Sequence, residues 1–555
     1  MGGFALAKPR SRPQLSLTCA HVADDAAGIP SDDWCYRFFE HVFCLFDDAQ
    51  FADLYCEGGR YPVSPALLAS VTILQYMHKV SDRQAVRNTV RCRDWRIALG
   101  RDRDWAGFDH SVLCNFRKRL VQHGLQRAIF ERVLDQLRAL GLLSKRARLR
   151  VDATHVVADV ARLSRADALR EALRIVVCAL HKAAPELEQR PDFLRLLDAY
   201  GQEIWLGGGD SSPDALGVLG RDGQALLALC GDRAVAGQAV LAQMLAENFS
   251  FAPDADPVPL EPAQRPSDRI VTPHEPDARV GKKGSQIWTG DKVHVVETAD
   301  EDQANFIVDV LVTDPRAEDS TVTQQLAWRA KFAVPQAREL LADGGYASAA
   351  NTLRAREVGL DLITPPRAGS SRGRLAASSF AIDFERQVAR CPHGCESTYW
   401  RVHGREITIR FAAATCATCP LRALCTTSNR GRSLGLSRDY EQLQADRTRA
   451  ASAEFRGVYH RRSGIEATIS HLVRDCGLRR SRYRGAPRRE LHALLASAAL
   501  NVRRLLLWRP PGAPAATPQT AAFPALAAAV TRVLWRATVR LWRAYPPPQH
   551  HPALA

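Results

Sequence analysis

Three carboxylates stand where they can do chemistry together. Asp152 follows Leu149-Arg-Val, Asp343 follows Glu339-Leu-Leu-Ala and meets Gly344-Gly345, and Glu466 lies seven residues past Tyr459. The first two end strand-like runs, and strand ends aim side chains into the crevice where open α/β sheets bind ligands. A few carboxylates plus substrate phosphates are the usual way to hold Mg²⁺. Two such ions roughly 3.5–4 Å apart serve displacement at a phosphodiester by assisting both the attacking and the leaving oxygen. Taken singly, each acid has a plainer reading, as a turn residue or cap or as an ion-pair partner on a basic helix. Their combination and order make the case. Asp159, Asp291, Asp309 and Asp319 compete with them from inside or just beyond neighbouring elements.

Cysteines form the second constellation. Cys391-Pro-His-Gly-Cys395 and Cys416-Ala-Thr-Cys419 are separated by 20 residues, with Cys425 and His393 as further candidates. Two thiolate pairs at this spacing suit tetrahedral Zn²⁺, and soft ligands favour zinc over magnesium. The reading is a structural, zinc-ribbon-like clip bracing a segment with little apolar core of its own. Reduced cysteines that bind nothing are the alternative. The other nine of the 14 cysteines are scattered singly, as packing residues are.

The third feature is positive charge. The chain carries +15, and residues 456–510 hold +10 of it through 13 Arg, no Lys and three acids. The run Arg479-Arg-Ser-Arg-Tyr-Arg-Gly places Arg479, Arg480, Arg482 and Arg484 around Tyr483. Guanidinium forks suit phosphates, although a solvated basic face would look similar. Hydrophobic residues at 46% fit an ordinary globular protein. The N-terminus lacks the apolar core of a signal peptide and no run of about 18 apolar residues occurs, so a cytoplasmic protein without membrane contact is expected.

The elements that must position these residues follow from periodicity. Residues 1–30 read as a flexible arm and 31–145 as a helical domain. Within it Pro65 opens one helix, Ser81 caps the next, and longer amphipathic stretches follow at 112–120 and 122–142. Residues 149–154 read as a strand, 165–250 as helices and Pro-rich 252–277 as a linker. Strands are expected at 286–297, 306–312, 339–343 and 361–363, helices at 320–330 and 348–358, and one helix across 459–474. The sum is an α/β domain over 146–505 with a mixed sheet flanked by helices, a helical insertion at about 162–277 and a Cys-rich insertion at about 385–430. Residues 506–555 read as an Ala-, Pro- and Arg-rich disordered tail.

At this point the chain resembles the insertion-sequence transposases of the DDE class. The resemblance rests on Leu149-Arg-Val-Asp152-Ala-Thr-His, Leu341-Ala-Asp343-Gly-Gly-Tyr346, Tyr459-His-Arg-Arg462-Ser-Gly-Ile-Glu466 and the following run to Asn501. The N-terminal pattern around Tyr61-Pro, Leu74-Gln-Tyr-Met, Ser81-Asp-Arg-Gln and Trp95-Arg-Ile-Ala-Leu-Gly resembles that family's N-terminal domain. It implies a ribonuclease-H-like core in which Asp152, Asp343 and Glu466 bind two Mg²⁺ or Mn²⁺ ions. It also implies an N-terminal domain that binds DNA and an enzyme that binds terminal inverted repeats, hydrolyses phosphodiester bonds and joins 3′-hydroxyl ends to target DNA. A homodimer or larger assembly on nucleoid DNA goes with that activity. Tyr459, Arg462 and Glu466 match the first three places of a Tyr-x2-Arg-x3-Glu-x6-Lys signature, while Val473 stands at the Lys place and Arg474 one residue beyond. Tyr459, Arg462, Arg474, Arg479, Arg480, Arg482 and Arg484 are therefore the candidate DNA contacts, and Lys292 and His294 are secondary ones. A catalytically dead DNA-binding remnant and a metal-dependent nuclease of the same fold are the alternatives.

Overall fold

The computed structural model describes residues 28–509 and Lys8, apart from 31, 59, 144–145, 161–162, 203–208, 254, 302 and 367–373. Nearly all of the expected arm at 1–30, and the expected tail from 510 onward, lie outside the described residues.

Six helices open the described chain: α1 (Trp34–His41), α2 (Pro65–Met77), α3 (Asp82–Arg91), α4 (Arg93–Leu99), α5 (Ser111–Gln122) and α6 (Ala128–Ala139). Local chemistry sets their starts. Ser64 accepts from the Leu67 N–H ahead of Pro65, and Ser81 accepts from that of Gln84. Each satisfies an amide that the first helical turn leaves without a partner. α2 is buried from Pro65 to Tyr76. Its polar positions survive burial because Ser70 and Thr72 donate to the carbonyls of Ala66 and Leu68, four residues back.

β1 (Arg148–Val157) starts the sheet, and a helical unit interrupts it: α7 (Arg165–Ala183), α8 (Pro191–Tyr200), α9 (Pro213–Cys230), α10 (Gln238–Asn248) and the short strands β2 (Phe249–Ser250) and β3 (Val258–Pro259). This unit packs around its own core of Leu, Val and Phe. The Pro-rich stretch expected to be a linker is packed instead. Ile270, Thr272 and Glu275 are buried, and Glu275 accepts from the buried Arg489 at 2.8 Å. Proline spacing predicts an irregular path, but it does not reveal a buried ion pair made 214 residues away.

The sheet resumes with β4 (Arg279–Lys283), β5 (Gln286–Thr298), β6 (Ile307–Thr313), β7 (Glu339–Leu341) and β8 (Asp361–Ile363); α11 (Asp319–Ala333) and α12 (Ala349–Glu357) lie between its later strands. β5 runs antiparallel to β1 along nearly its whole length, with Val295 opposite Asp152. Its other edge is shared by β4 and β6, both antiparallel to it. β7 and β8 extend the far side of β1 in parallel. The result is a curled, mixed, six-stranded sheet.

Beyond β8 lie two small sheets: β9 (Ala381–Asp383) with β10 (Val388–Arg390), and β11 (Tyr399–His403), β12 (Glu406–Arg410) and β13 (Ser433–Ser437). α13 (Ala413–Ala417) and α14 (Arg422–Cys425) sit between β12 and β13. This region has more core than its cysteines suggest, since Phe380, Ile407, Ile409, Phe411, Leu434, Leu436 and Tyr440 cluster there. Four helices complete the described chain: α15 (Tyr440–Ala450), α16 (Ala453–Tyr459), α17 (Gly464–Arg474) and α18 (Ala486–Leu507). The single helix expected across 459–474 is broken. A 3₁₀ turn at His460–Ser463 separates α16 from α17, and Gly464 opens the second piece.

α18 is buried continuously from Leu491 to Val502. It packs against α2, α6 and β6, so the N-terminal helices and the sheet share one apolar core. Asn501 fastens it by donating to the Ile307 carbonyl at 2.7 Å and accepting from the Ile307 N–H at 2.8 Å.

Candidate active site

β1 alternates, so Arg150 and Asp152 share one face while Leu149 and Val151 fill the other. In the parallel pair with β7, Arg150 lies opposite Leu341. The same register, continued two places, brings Asp343 beside Asp152. Asp343 is held at the end of β7 by its surroundings: its carboxylate accepts from the Gly345 N–H at 2.8 Å and its carbonyl from the Thr364 hydroxyl at 2.7 Å. A Cβ on Gly345 would come within 2.8 Å of the Asp343 carboxylate and 2.9 Å of that of Asp319. The second glycine is thus required by the acids on either side of it.

Arg462 joins the carboxylates. Its Nη2 donates to Asp152 at 2.7 Å and its Nη1 to Glu466 at 3.1 Å. Burial raises the Asp152 carboxyl above its ordinary value; the Ala153 N–H and Arg462 oppose the rise, and the neighbouring Asp343 adds to it. Burial pulls the Arg462 guanidinium down, but Asp152, Tyr459, Asp343 and Glu466 together raise it. The structure thus brings Asp152, Asp343, Glu466, Arg462 and Tyr459 into one electrostatic neighbourhood. Tyr459 stacks on Phe455 at 5.2 Å between ring centres and packs beside Leu341 and Ile363. The break in the helix leaves Arg462 in the 3₁₀ turn, from which it still reaches Glu466 four residues on.

A buried network fixes the turn that carries Arg462. Glu297, opposite Arg150 across β1 and β5, accepts from Arg150 at 2.7 Å, from Thr468 of α17 at 2.7 and 2.9 Å, and from Arg504 of α18 at 2.9 Å. Arg150 also donates to the Arg461 carbonyl at 2.8 Å. Gly464 makes room for this arrangement, since a Cβ there would lie 2.0 Å from Arg150 Nη1. Sequence reasoning missed Arg150, Glu297, Thr468, Arg504 and Gly464. The one available signal was a pair of opposite charges, Arg150 and Glu297, each set beside apolar residues in its strand.

Lys292 and His294 face inward. Lys292 donates to the Ala317 carbonyl at 2.6 Å and pairs with Asp319 at 3.1 Å. His294 is fully buried between the Tyr346 hydroxyl at 2.8 Å and the Thr313 hydroxyl at 3.1 Å, and burial pushes its imidazole down to about 3. The competing acids have structural partners: Asp291 binds Arg489, Asp309 binds Arg127 and Arg329, and Asp159 lies by Arg484.

The arginine run divides. Arg479 donates to the His155 carbonyl at 2.6 Å, and Arg482 to that of Val80 at 2.6 Å while lying over the Tyr76 ring. Both hold the fold together. Arg480 and Arg484 line an open cleft. At Arg474 the main-chain carbonyl accepts from Lys79 at 3.1 Å.

Cys391, Cys395, Cys416, Cys419 and Cys425 line one cavity of about 30 Å³. Burial and the neighbouring thiols of Cys391, Cys419 and Cys416 raise the Cys395 thiol. Among the described residues, however, no three His, Cys, Asp or Glu side chains stand at a spacing that would hold a metal ion, either here or at the three carboxylates. No helix among them is long and apolar enough to cross a membrane.

Comparison with known proteins adds two findings. Residues 390–506 match the family model of a transposase DDE domain, and residues 27–119 match that of a transposase domain (DUF772). The pair is consistent with a DDE insertion-sequence transposase that has an N-terminal domain. The first match spans the cysteines and Glu466, whereas Asp152 and Asp343 lie outside both. No curated protein and no solved structure matches the chain.

Proposed function

We propose that this chain, which carries two transposase domain matches, cuts DNA at the ends of a mobile element and joins the freed 3′-hydroxyls to target DNA. The observation that carries the proposal is Arg462, ion-paired at once to Asp152 and Glu466 with Asp343 alongside. Residues from β1, the end of β7 and the turn before α17 meet there, three stretches far apart in the chain. The strand order β6-β5-β1-β7-β8, antiparallel across the first three and parallel across the last three, supports the ribonuclease-H-like reading.

By chemical type, though not by their present spacing, the donors suit hard divalent cations, because carboxylate oxygens are the ligands Mg²⁺ and Mn²⁺ take. Asp152, Asp343 and Glu466 would hold them. Such ions would supply the chemistry of activating an attacking oxygen and stabilising a leaving one. The chain's own contributions are positional. The Gly345 N–H and the Thr364 hydroxyl keep Asp343 aimed across the sheet. The Glu297 network holds α17 against β1, so that Glu466 stays on the same side as the aspartates. Arg462 supplies positive charge where a scissile phosphate must arrive, and its fork suits two phosphate oxygens. Tyr459, packed on Phe455, walls the site beside it.

The test is cleavage and strand transfer on duplexes bearing the element's own ends, with Mg²⁺. Asp343→Asn should abolish cutting while leaving DNA binding within about threefold, since about threefold is below 1 kcal/mol. Full cutting by that variant would refute the triad, and cutting without joining would point to a nuclease. We also propose that four of the five cysteines, Cys391, Cys395, Cys416 and Cys419 with Cys425 as the alternative fourth, hold a structural zinc, a reading supported by their shared cavity. Elemental analysis should then find close to one zinc per chain, and metal-free folded protein would refute it.

A further inference from the structure

Between the helical unit and the sheet opens a cleft of about 850 Å³. One wall is the start of α7 and residues 265–272. The other is the end of β1, the β4–β5 hairpin and the arginine run. Arg165, Arg265 and Arg269 line the first wall and Arg480 and Arg484 the second, while Asp159 is the one acid among the lining residues. The run is fastened there by backbone: the Val157 N–H donates to the Arg479 carbonyl and the Ser481 N–H to that of Val157, both at 2.8 Å.

These arginines differ from Arg489 and Arg150, whose guanidiniums are matched by buried carboxylates. Arg489 has Asp291 and Glu275, and Arg150 has Glu297. Arg265 has its Nε buried without a hydrogen-bond partner among the described residues. Burial and the like charges of Arg165 and Arg269 push it down to about 10. The acid that acts on it, Glu247, already accepts from the Ile270 N–H at 2.7 Å and from Gln243 at 2.8 Å. Asp159 is approached by Arg484, whose Nε donates to its carbonyl at 3.2 Å. Arg165 is tied to Asn248 and to the Leu260 carbonyl at 3.0 Å each, and Arg269 to the Pro266 carbonyl at 3.1 Å. A partly desolvated cluster of like charges with so little counter-charge is unfavourable by itself and favours an anion between its walls.

The cleft's position says which anion. β1 leads from Asp152 to the cleft mouth at Asp159. At about 3.3 Å per residue that path spans at most about 23 Å, which is the rise of roughly seven base pairs at 3.4 Å each. We propose that this arginine cleft grips backbone phosphates of duplex DNA up to about seven base pairs from the bond being cut, making the helical insertion a sequence-independent clamp. This inference rests on the proposed transposase function.

Arg265 and Arg269 are the residues to change, because Arg165 also holds the insertion together. The measurement is the salt dependence of binding to a 40-base-pair duplex of arbitrary sequence, using the full chain. Each lost phosphate contact flattens the slope of log K against log salt by about 0.9. Arg265→Gln with Arg269→Gln should therefore flatten it by about 1.8. The ratio of affinities at 50 and 200 mM salt should shrink about twelvefold. Arg265→Lys with Arg269→Lys should keep the parent slope, because lysine preserves the charge. A Gln pair with the parent slope, or a Lys pair as flat as the Gln pair, overturns the clamp. Melting curves of both pairs identify any unfolded variant; if the Gln pair is unfolded, Arg269→Gln alone, which should flatten the slope by about 0.9, decides, and a parental slope there overturns the clamp. Cleavage by the parent protein on the element's own ends, assayed alongside, separates the two ideas: a parent that cuts no DNA removes the function, whereas a parental slope in the Gln pair removes only the clamp.

Discussion

Replacing Glu297 with Gln should loosen α17 before it unfolds the protein. The side chain is fully buried and accepts hydrogen bonds from Arg150, Thr468 and Arg504. The amide keeps the shape but removes the charge, leaving two guanidiniums packed against a neutral group with donors of its own. Removing one partner of a buried ion pair costs about 3–5 kcal/mol, a large share of the 5–15 kcal/mol typical of folded domains. Strands β1 and β5 keep their backbone ladder, so the loss should fall on the elements that reach Glu297 by side chains alone. Hydrogen exchange read by mass spectrometry checks this. Peptides spanning residues 464–474 should exchange at least 100-fold faster, the equivalent of about 3 kcal/mol in local opening, while those from β5 change little. DNA cleavage should fall by a similar factor with binding retained, because Glu466 rides on α17. Exchange in 464–474 within threefold of the parent would refute the assignment of Glu297 as the brace.

Three further outcomes follow from the site and its surroundings. Gly345→Ala should reduce cleavage at least tenfold, since its Cβ would sit 2.8 Å from the Asp343 carboxylate and 2.9 Å from that of Asp319; parental turnover would show that the turn yields freely. The folded Asp152 carboxyl is raised above its ordinary value, so its contribution is present below the ordinary carboxylate range and lost as pH rises through the folded value. Asp152→Asn should then melt higher than the parent at pH 7 while being inactive, with the advantage shrinking in acid; a lower melting temperature at pH 7 would contradict this. His492 behaves oppositely in sign. Burial and Arg482 lower it to about 4, so acid favours the unfolded chain from about pH 6.5 downward by about 1.4 kcal/mol per pH unit. Stability against pH for His492→Gln should be flatter between pH 6.5 and 4, and a curve parallel to the parent would exclude this source.

Much of the layout was legible because it rests on local signals. Pro65 opened one helix and Ser81 capped the next where expected, and the apolar runs at 286–297 and 306–312 became β5 and β6. Asp152 and Asp343 could be singled out because each follows a strand-like run, but Asp152, expected at a strand end, lies within β1 because pairing with β5 carries the strand on to Val157, while Asp343 lies two residues beyond β7. What stayed hidden depends on side chains that meet across long separations. Glu275 sits in a Pro-rich stretch that looks like a tether, yet its carboxylate is matched to Arg489. The arginines of 479–484 look alike in composition, but packing commits Arg479 and Arg482 to carbonyls and leaves Arg480 and Arg484 at the cleft. The break before α17 was invisible to helical periodicity, because only the Arg150 guanidinium explains why Gly464 stands there.

The burial of α18 has a consequence in time. α2 and α6 are complete once residue 139 has been made, but the helix that covers them ends at residue 507. At about 5–20 residues per second, synthesis of the intervening stretch takes roughly 20–70 s. Throughout that interval the apolar faces that α18 will cover have no native partner. The N-terminal region therefore matures last, although it is made first. A chain that stopped upstream of α18 would therefore leave those apolar faces uncovered.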